Sequence, residues 1–265
     1  MTTPLNDSIT LGQAPGTVDE IVRIADGAPV ALEKAALDNM ARVSSRIQRA
    51  IEQGQTIYGL TTGVGDLVTT RLSPDRMTDT QLNMLRSHAC GVGPDLTVRE
   101  VRAMMAVTLK SLLQGYSGVT PALAQRIADM LNRQVTPWSP AGGSVGYLIA
   151  TAHIGLAVFG EGKCWYQGEL LPAQQALTRA GIPPYVPGPR EGHALVGGTY
   201  EITAVGCLAV ADFQRLLPVA DMAGGMCLEA MRGNTRGYDA RLHALRPHPG
   251  QQETAQNLRR LLKGS

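Results

Sequence analysis

Tyr58 opens the run Tyr-Gly-Leu-Thr-Thr-Gly-Val-Gly over 58–65. A tyrosine beside a glycine and followed by two threonines can be held against a substrate and serve as a general base. The plainer role is a packed ring whose hydroxyl bonds to backbone. His88, in Arg86-Ser-His-Ala-Cys-Gly-Val-Gly93, stands where a helix should end before a glycine-rich turn. It can bind a polar substrate group, or it can cap the last carbonyls of that helix. His153 falls on the apolar stretch 148–159 and reads as a core histidine with a satisfied ring. His243 and His248 have no partner at metal-ligand spacing. Cys90, Cys164, Cys207 and Cys227 are scattered, form no Cys-x-x-Cys pair and match no zinc pattern. They are expected to be reduced thiols, and no metal site is expected.

The elements that must position these groups are mostly helical. Apolar residues recur at helical spacing, without a breaker, over 29–53. Further helices are expected over 17–25, 78–89, 97–114, 120–132, 148–159, 172–180 and 251–262, and one or two long ones over 199–231. Thr97 with Glu100 three residues later forms a capping box, and Pro121 takes the favoured first helical position. Gly206, Pro218, Gly224 and Gly225 are the expected kinks of the long segment. A small hairpin is expected over 162–171. Three glycine-rich segments interrupt this pattern, at 58–65, 140–147 and 191–200, and each is expected to be irregular. Glycine lets backbone approach a ligand or adopt left-handed angles.

Composition narrows the function classes. Hydrophobic residues make up 44% of the 265, enough for a large core, whereas aromatic residues make up only 4%, which suits close-packed helices. Lys and Arg total 24 against 22 Asp and Glu. That balance gives no electrostatic case for nucleic acid or an anionic membrane surface. The N-terminal MTTPLNDSIT lacks a basic region and an apolar run, so no secretory signal is expected and the chain is expected to be cytoplasmic. Asp212, Gln214, Arg215 and Asp221 interrupt the most apolar segment, 202–228, and favour a core helix over a membrane span.

Taken in order, the glycine-rich segments and their flanks resemble the aromatic amino-acid ammonia-lyase family, which comprises histidine, phenylalanine and tyrosine ammonia-lyases and related aminomutases. YGLTTGVGD (58–66) is similar to the family's Tyr-Gly-x-Asn-Thr-Gly-Phe-Gly loop, and LRSHACGVG (85–93) to its Ser-His-Ala-x-Gly-Val-Gly turn. VRAMMAVTLKSLLQGYSGV (101–119), GGSVG (142–146), REGHALVGGT (190–199) and YDARLHALRPHPGQ (238–251) follow in the same order. The resemblance implies a mainly α fold. The expected form is a long-helix bundle of the histidine ammonia-lyase-like (fumarase/aspartase-like) type with an N-terminal loop-rich active-site region. It divides the chain into an active-site domain, 1–198, and the first part of the central bundle, 199–265. It also implies oligomeric assembly and an ammonia elimination from an aromatic or histidine-like amino acid. Tyr58 would be the base, with Gly146 and Tyr147 at the catalytic turn. Thr61, Gly65, His88, Leu195 and Gly197 would line the substrate pocket.

The family's cofactor is 4-methylideneimidazol-5-one, an electrophile cyclised from Ala-Ser-Gly within the chain. The family reads Gly-Ser-Val-Gly, then Ala-Ser-Gly, then Asp-Leu-Ala-Pro-Leu-Ala-His. Here Gly146 is followed at once by Tyr147-Leu-Ile-Ala-Thr-Ala-His153. The flanks align only if the cofactor triplet is missing between Gly146 and Tyr147. Either the triplet has been lost, or a matured cofactor has dropped out of the letters. Three departures favour loss: Tyr147 replaces an Asp, Gly197 replaces an Asn, and Thr108 and Lys110 replace an Arg and an Asn. Family members are also about twice as long. The alternative to an ammonia-lyase is therefore a homologue without the electrophile, either a supporting subunit or a catalyst of a cofactor-free reaction. In either case the expected partner is a second copy or a chain supplying the missing half.

Overall fold

The computed structural model describes residues 7–63, 69 and 76–265. It separates into two units, one running through Leu208 and one comprising Ala209–Ser265.

The first unit begins with a parallel pair, β1 (Ile9–Leu11) and β2 (Val30–Leu32), joined through α1 (Val18–Ala25). Thr17 caps α1 with a complete capping box to Glu20. The expectation of one helix over 29–53 is corrected here: its first residues form β2, and the helix α2 is Lys34–Glu52. Both backbone groups of Val30 are taken by one side chain. Val30 N–H donates to Asn132 Oδ1 at 2.7 Å, and Asn132 Nδ2 donates to the Val30 carbonyl at 2.9 Å.

Next come α3 (Met77–His88), β3 (Val92–Asp95), α4 (Val98–Leu112) and α5 (Pro121–Asn132). The capping box predicted at Thr97 and Glu100 is present at the start of α4. Helix α4 is the core of the unit, with Val101, Met104, Met105 and Leu109 almost fully buried. It also buries Arg102, whose guanidinium donates to the Ile24, Ala25 and Leu131 carbonyls. Those are last-turn carbonyls of α1 and α5, two of which also accept a backbone N–H, so one cation gathers two helix ends. Burial lowers the proton affinity of Arg102, yet an arginine stays charged. Arg126 acts similarly on the Val158 and Pro183 carbonyls.

The segment 140–147 is not wholly irregular, because β5 (Pro140–Gly142) pairs antiparallel with β3. Just before it, β4 (Thr136–Pro137) pairs antiparallel with strand β6 (Lys163–Tyr166). Between β5 and β6 lies α6 (Ile149–Val158), an apolar helix buried over most of its length. Strand β6 forms the predicted hairpin with β7 (Glu169–Pro172), and α7 (Ala173–Arg179) follows. The expectation that 191–200 is irregular is also corrected, because α8 occupies Glu191–Val196. Helices α3, α6 and α8 pack against one another.

The last long helix, α9, runs unbroken from Tyr200 to Ala230 with Pro218 inside it. The segment Glu191–Ala230 is long and apolar enough to cross a membrane by length and composition alone. In the second unit Gly224 and Gly225 face Leu258 and Leu261 of α11 (Pro249–Leu261), so their lack of side chains admits that helix. Asn257 Nδ2 donates to Asp221 at 2.8 Å across the same contact. A 3-10 turn (Thr235–Tyr238) and the short α10 (Ala240–Ala244) connect the two. Phe213, Leu216, Leu217, Val219, Met222 and Met226 of α9 are exposed.

Candidate active site

Tyr58 lies in the turn that follows α2, with its ring half exposed. The turn is held by Thr61, whose hydroxyl accepts from the Ile57 N–H at 2.7 Å and donates to the Gln55 carbonyl at 2.8 Å. Thr61 is buried, so its hydroxyl serves the loop that carries Tyr58 rather than a ligand. Gly65 lies outside the described residues.

The Tyr58 ring meets His193 of α8 edge-on, with centroids 6.2 Å apart and planes at 70°. The sequence did not single out His193. The local signal is only a histidine in Glu-Gly-His-Ala-Leu, and the contact that matters spans 135 residues. Burial, and then the Arg190 charge, lower the proton affinity of the imidazole, so it is held neutral. Its Nδ1 is buried without a hydrogen-bond partner. The backbone N–H of His193 donates to Gln81 Oε1 at 3.0 Å, tying α8 to α3. Leu195 is buried on Gly155 of α6 and belongs to the core. Gly197 ends α8, its N–H donating to the His193 carbonyl at 2.9 Å.

Helix α8 exists because Glu191, fully buried, has donors enough for its charge. It accepts from Thr120 N–H and Oγ1, from Tyr185 OH and from Gly188 N–H. A buried carboxylate survives only when so surrounded. Arg190, in a left-handed conformation at φ 69°, donates from Nε to the Ser117 carbonyl at 2.9 Å and fixes the entry to α8. These are positioning residues beneath His193.

His88 ends α3. Its Nδ1 lies 2.8 Å from the Met84 carbonyl and 3.0 Å from Ser87 Oγ, so the ring caps its own helix through a protonated Nδ1. With Nδ1 so engaged, Nε2 is the ring nitrogen left to face a ligand. The turn after His88 is fixed to the glycine-rich segment by the β3–β5 pairing, in which Val92 opposes Gly142. A side chain at Gly142 would come within 2.6 Å of the Val92 carbonyl, so glycine is required there. His153 Nε2 accepts from the Gly91 N–H at 3.2 Å and its ring meets Trp138, as a satisfied core histidine does.

Gly146, at φ 96°, gives its carbonyl to the N–H of Ile202 in the first turn of α9, at 3.1 Å. Ser144 Oγ accepts from Gly146 N–H at 3.1 Å, donates to Glu201 Oε2 at 2.5 Å and lies 3.0 Å from the Tyr147 carbonyl. Leu148 follows at φ 72°, ψ −59°, and Ile149 N–H bonds back to the Tyr147 carbonyl at 3.0 Å. That is a γ-turn with a non-glycine residue in a strained conformation. The stretch 193–202 thus touches Tyr58 at one end and Gly146 at the other.

The residues present do not fit 4-methylideneimidazol-5-one. Its three precursor residues would stand where Gly146 joins Tyr147, and there the chain closes in one peptide bond and a γ-turn.

The sequence profile of the aromatic amino acid lyases matches residues 17–265. The chain belongs to the aromatic amino acid lyase family. It is 43% identical over 254 residues to a histidine ammonia-lyase of Sorangium cellulosum, covering 94% of this chain and 49% of that protein. It is 38% identical over 253 residues to a histidine ammonia-lyase of Alkaliphilus metalliredigens, covering 94% of this chain and 50% of the other. Among solved structures, a tyrosine aminomutase from Streptomyces globisporus superposes with a TM-score of 0.94 at 32% identity, over 98% of this chain and 50% of that one. An ergothioneine-degrading ergothionase from Treponema denticola superposes with a TM-score of 0.91 at 25% identity, covering 96% of this chain and 52% of its own. The mainly helical family fold is therefore established, and the chain spans about half the length of the relatives it matches.

Proposed function

We propose that this chain is the proton-abstracting half of an elimination site that removes an amine from an aromatic or histidine-like amino acid, working without 4-methylideneimidazol-5-one. Tyr58 is the base. His193 braces its ring, and His88 offers Nε2 to the substrate side chain. The observation that carries this reading is the half-exposed Tyr58 ring set against His193, on the same 193–202 stretch that anchors Gly146. Family membership supports carbon–nitrogen lyase chemistry, and the ergothioneine-degrading relative supports a histidine-derived skeleton as one candidate. The remaining substrate contacts would come from a second copy or a complementary chain.

The test combines intact mass with turnover. We expect a mass equal to that of the 265 residues, with no loss of water from cyclisation. We expect an elimination product, from histidine or an N-methylated relative, whose formation falls at least ~100-fold in Tyr58→Phe. Turnover indifferent to Tyr58→Phe would sink the assignment of the base.

A second reading, a supporting subunit, is favoured by the exposed apolar side chains of α9. Under it the chain alone is inert, and activity appears only on adding the complementary half.

A further inference from the structure

Lys110 is one of the chain's departures from the family's helix motif, and elimination at Tyr58 gives it no task. It is half-buried, and its ammonium carries three donors. One goes to the Gly12 carbonyl at 3.0 Å. No carboxylate among the described residues pairs with it. The nearby acids are held on backbone instead, Glu20 on the Thr17 N–H at 2.8 Å and Glu33 on the Gln13 N–H at 3.2 Å. Gly16 leaves room for the lysine stem, since a Cβ there would come 3.2 Å from Lys110 Cε. A cation drawn in among apolar side chains without a counter-charge is costly, and a bound anion removes that cost.

Lys110 lines a cleft of about 370 Å³ between the segment that leads into α1, α4 and the first turns of α9, all within the first unit. Val107, Lys110 and Ser111, at i, i+3 and i+4, turn one face of α4 toward it. Pro15, Val18, Ile21 and Val107 supply aliphatic walls, and no aromatic ring lines the cleft. Cys207 adds an uncharged wall, because burial pushes its thiol up. Thr203 and Cys207 lie one turn apart on α9, on the side away from Ile202, whose side chain abuts Gly146. None of Tyr58, His88 and His193 borders the cleft. Lys110 is its single cation, which suits a monoanion rather than a phosphoryl group, and aliphatic walls suit an alkyl chain rather than a flat ring. The Gln114 amide beside Lys110 makes only long contacts, at 3.4 and 3.5 Å, and is available to a second oxygen. We infer that this cleft binds a short aliphatic carboxylate, its head on Lys110 Nζ and the Gln114 amide and its chain over Val18, Ile21 and Val107. The binding is independent of the elimination reading.

The test is titration calorimetry on the full chain with octanoate, octanol and acetate, which separate the head from the chain. The expected result is saturable one-site binding of octanoate, at least ~10-fold tighter than either other probe and at least ~10-fold weaker in Lys110→Asn. Val18→Asp, which sets a carboxylate on the wall at the start of α1, should weaken it likewise, while both variants melt as the parent does. Should Lys110→Asn fail to fold, Val18→Asp decides alone. Phe213→Glu on the exposed side of α9 and Tyr58→Phe should each bind octanoate as the parent does. No saturable octanoate binding, octanol bound as tightly as octanoate, or binding untouched by both cleft variants would overturn the inference. Loss of binding in Phe213→Glu would overturn it by moving the chain to α9, and loss in Tyr58→Phe by moving the carboxylate to the elimination site. Octanoate binding that needs Lys110, in a chain that releases no amine from any amino acid, would leave the inference standing and remove the elimination reading alone.

Discussion

Leu148 and the two inner histidines give the sharpest consequences at the scale of single residues. Leu148 holds φ 72° and ψ −59°, a conformation that disfavours any residue with a Cβ. Leu148→Gly should relieve ~1 kcal/mol and raise the melting temperature by about 2–4 °C, provided its half-buried side chain adds little packing. Scanning calorimetry checks this, and a lower melting temperature would mean that Leu148 packing outweighs its strain. His153 and His193 both have their proton affinity lowered by burial, from an ordinary value of 6.5. The unfolded chain therefore binds more protons than the folded one below that value, and stability falls as pH drops from about 6.5. Above it both states are neutral at these rings and their contribution is flat. Denaturant titrations at pH 7.5 and 5.0 should differ, and His153→Gln together with His193→Leu should shrink the difference.

At the scale of elements, Arg102 joins two helix ends that sequence places far apart. Its removal in Arg102→Met takes the guanidinium donors from the Ile24, Ala25 and Leu131 carbonyls at the ends of α1 and α5. The cost should be ~3 kcal/mol, read from chemical denaturation, with Lys at the same position recovering only part of it. What could be read from sequence divides along the same line. The capping box at Thr97, Pro121 at a helix start and the 162–171 hairpin are local chemistry, and each appears where it is expected. Strand β2 escaped because nothing local distinguishes Val30-Ala-Leu32 from a helical start. Its conformation is decided by β1 on one side and by Asn132 on the other. Helix α8 escaped for a related reason: its glycine-rich letters suggest a loop, but Glu191 finds donors on Thr120 and Tyr185. In the site, Tyr58 and His88 were legible as motif residues. His193, Glu201 and the helix-capping posture of His88 depend on contacts between segments that no spacing reveals.

At the scale of the whole molecule, the exposed side of α9 is the feature most in need of a partner. Phe213, Leu217 and Met226 are 61%, 50% and 71% exposed. Covering such side chains is worth on the order of 1 kcal/mol each. We expect the purified chain to associate, and Phe213→Glu with Met226→Glu to shift light scattering toward a single 28.1 kDa species. A monomeric parent would remove this expectation.

The Asn132 amide also bears on how such association can proceed. Short paired strands commonly recruit another chain's backbone along their open margin. Here the outward N–H and C=O of Val30 are already occupied by a side chain from the end of α5. At that position there is nothing left for a neighbour's backbone to zip onto, so self-assembly by strand exchange is discouraged and contact between helical surfaces becomes the open route.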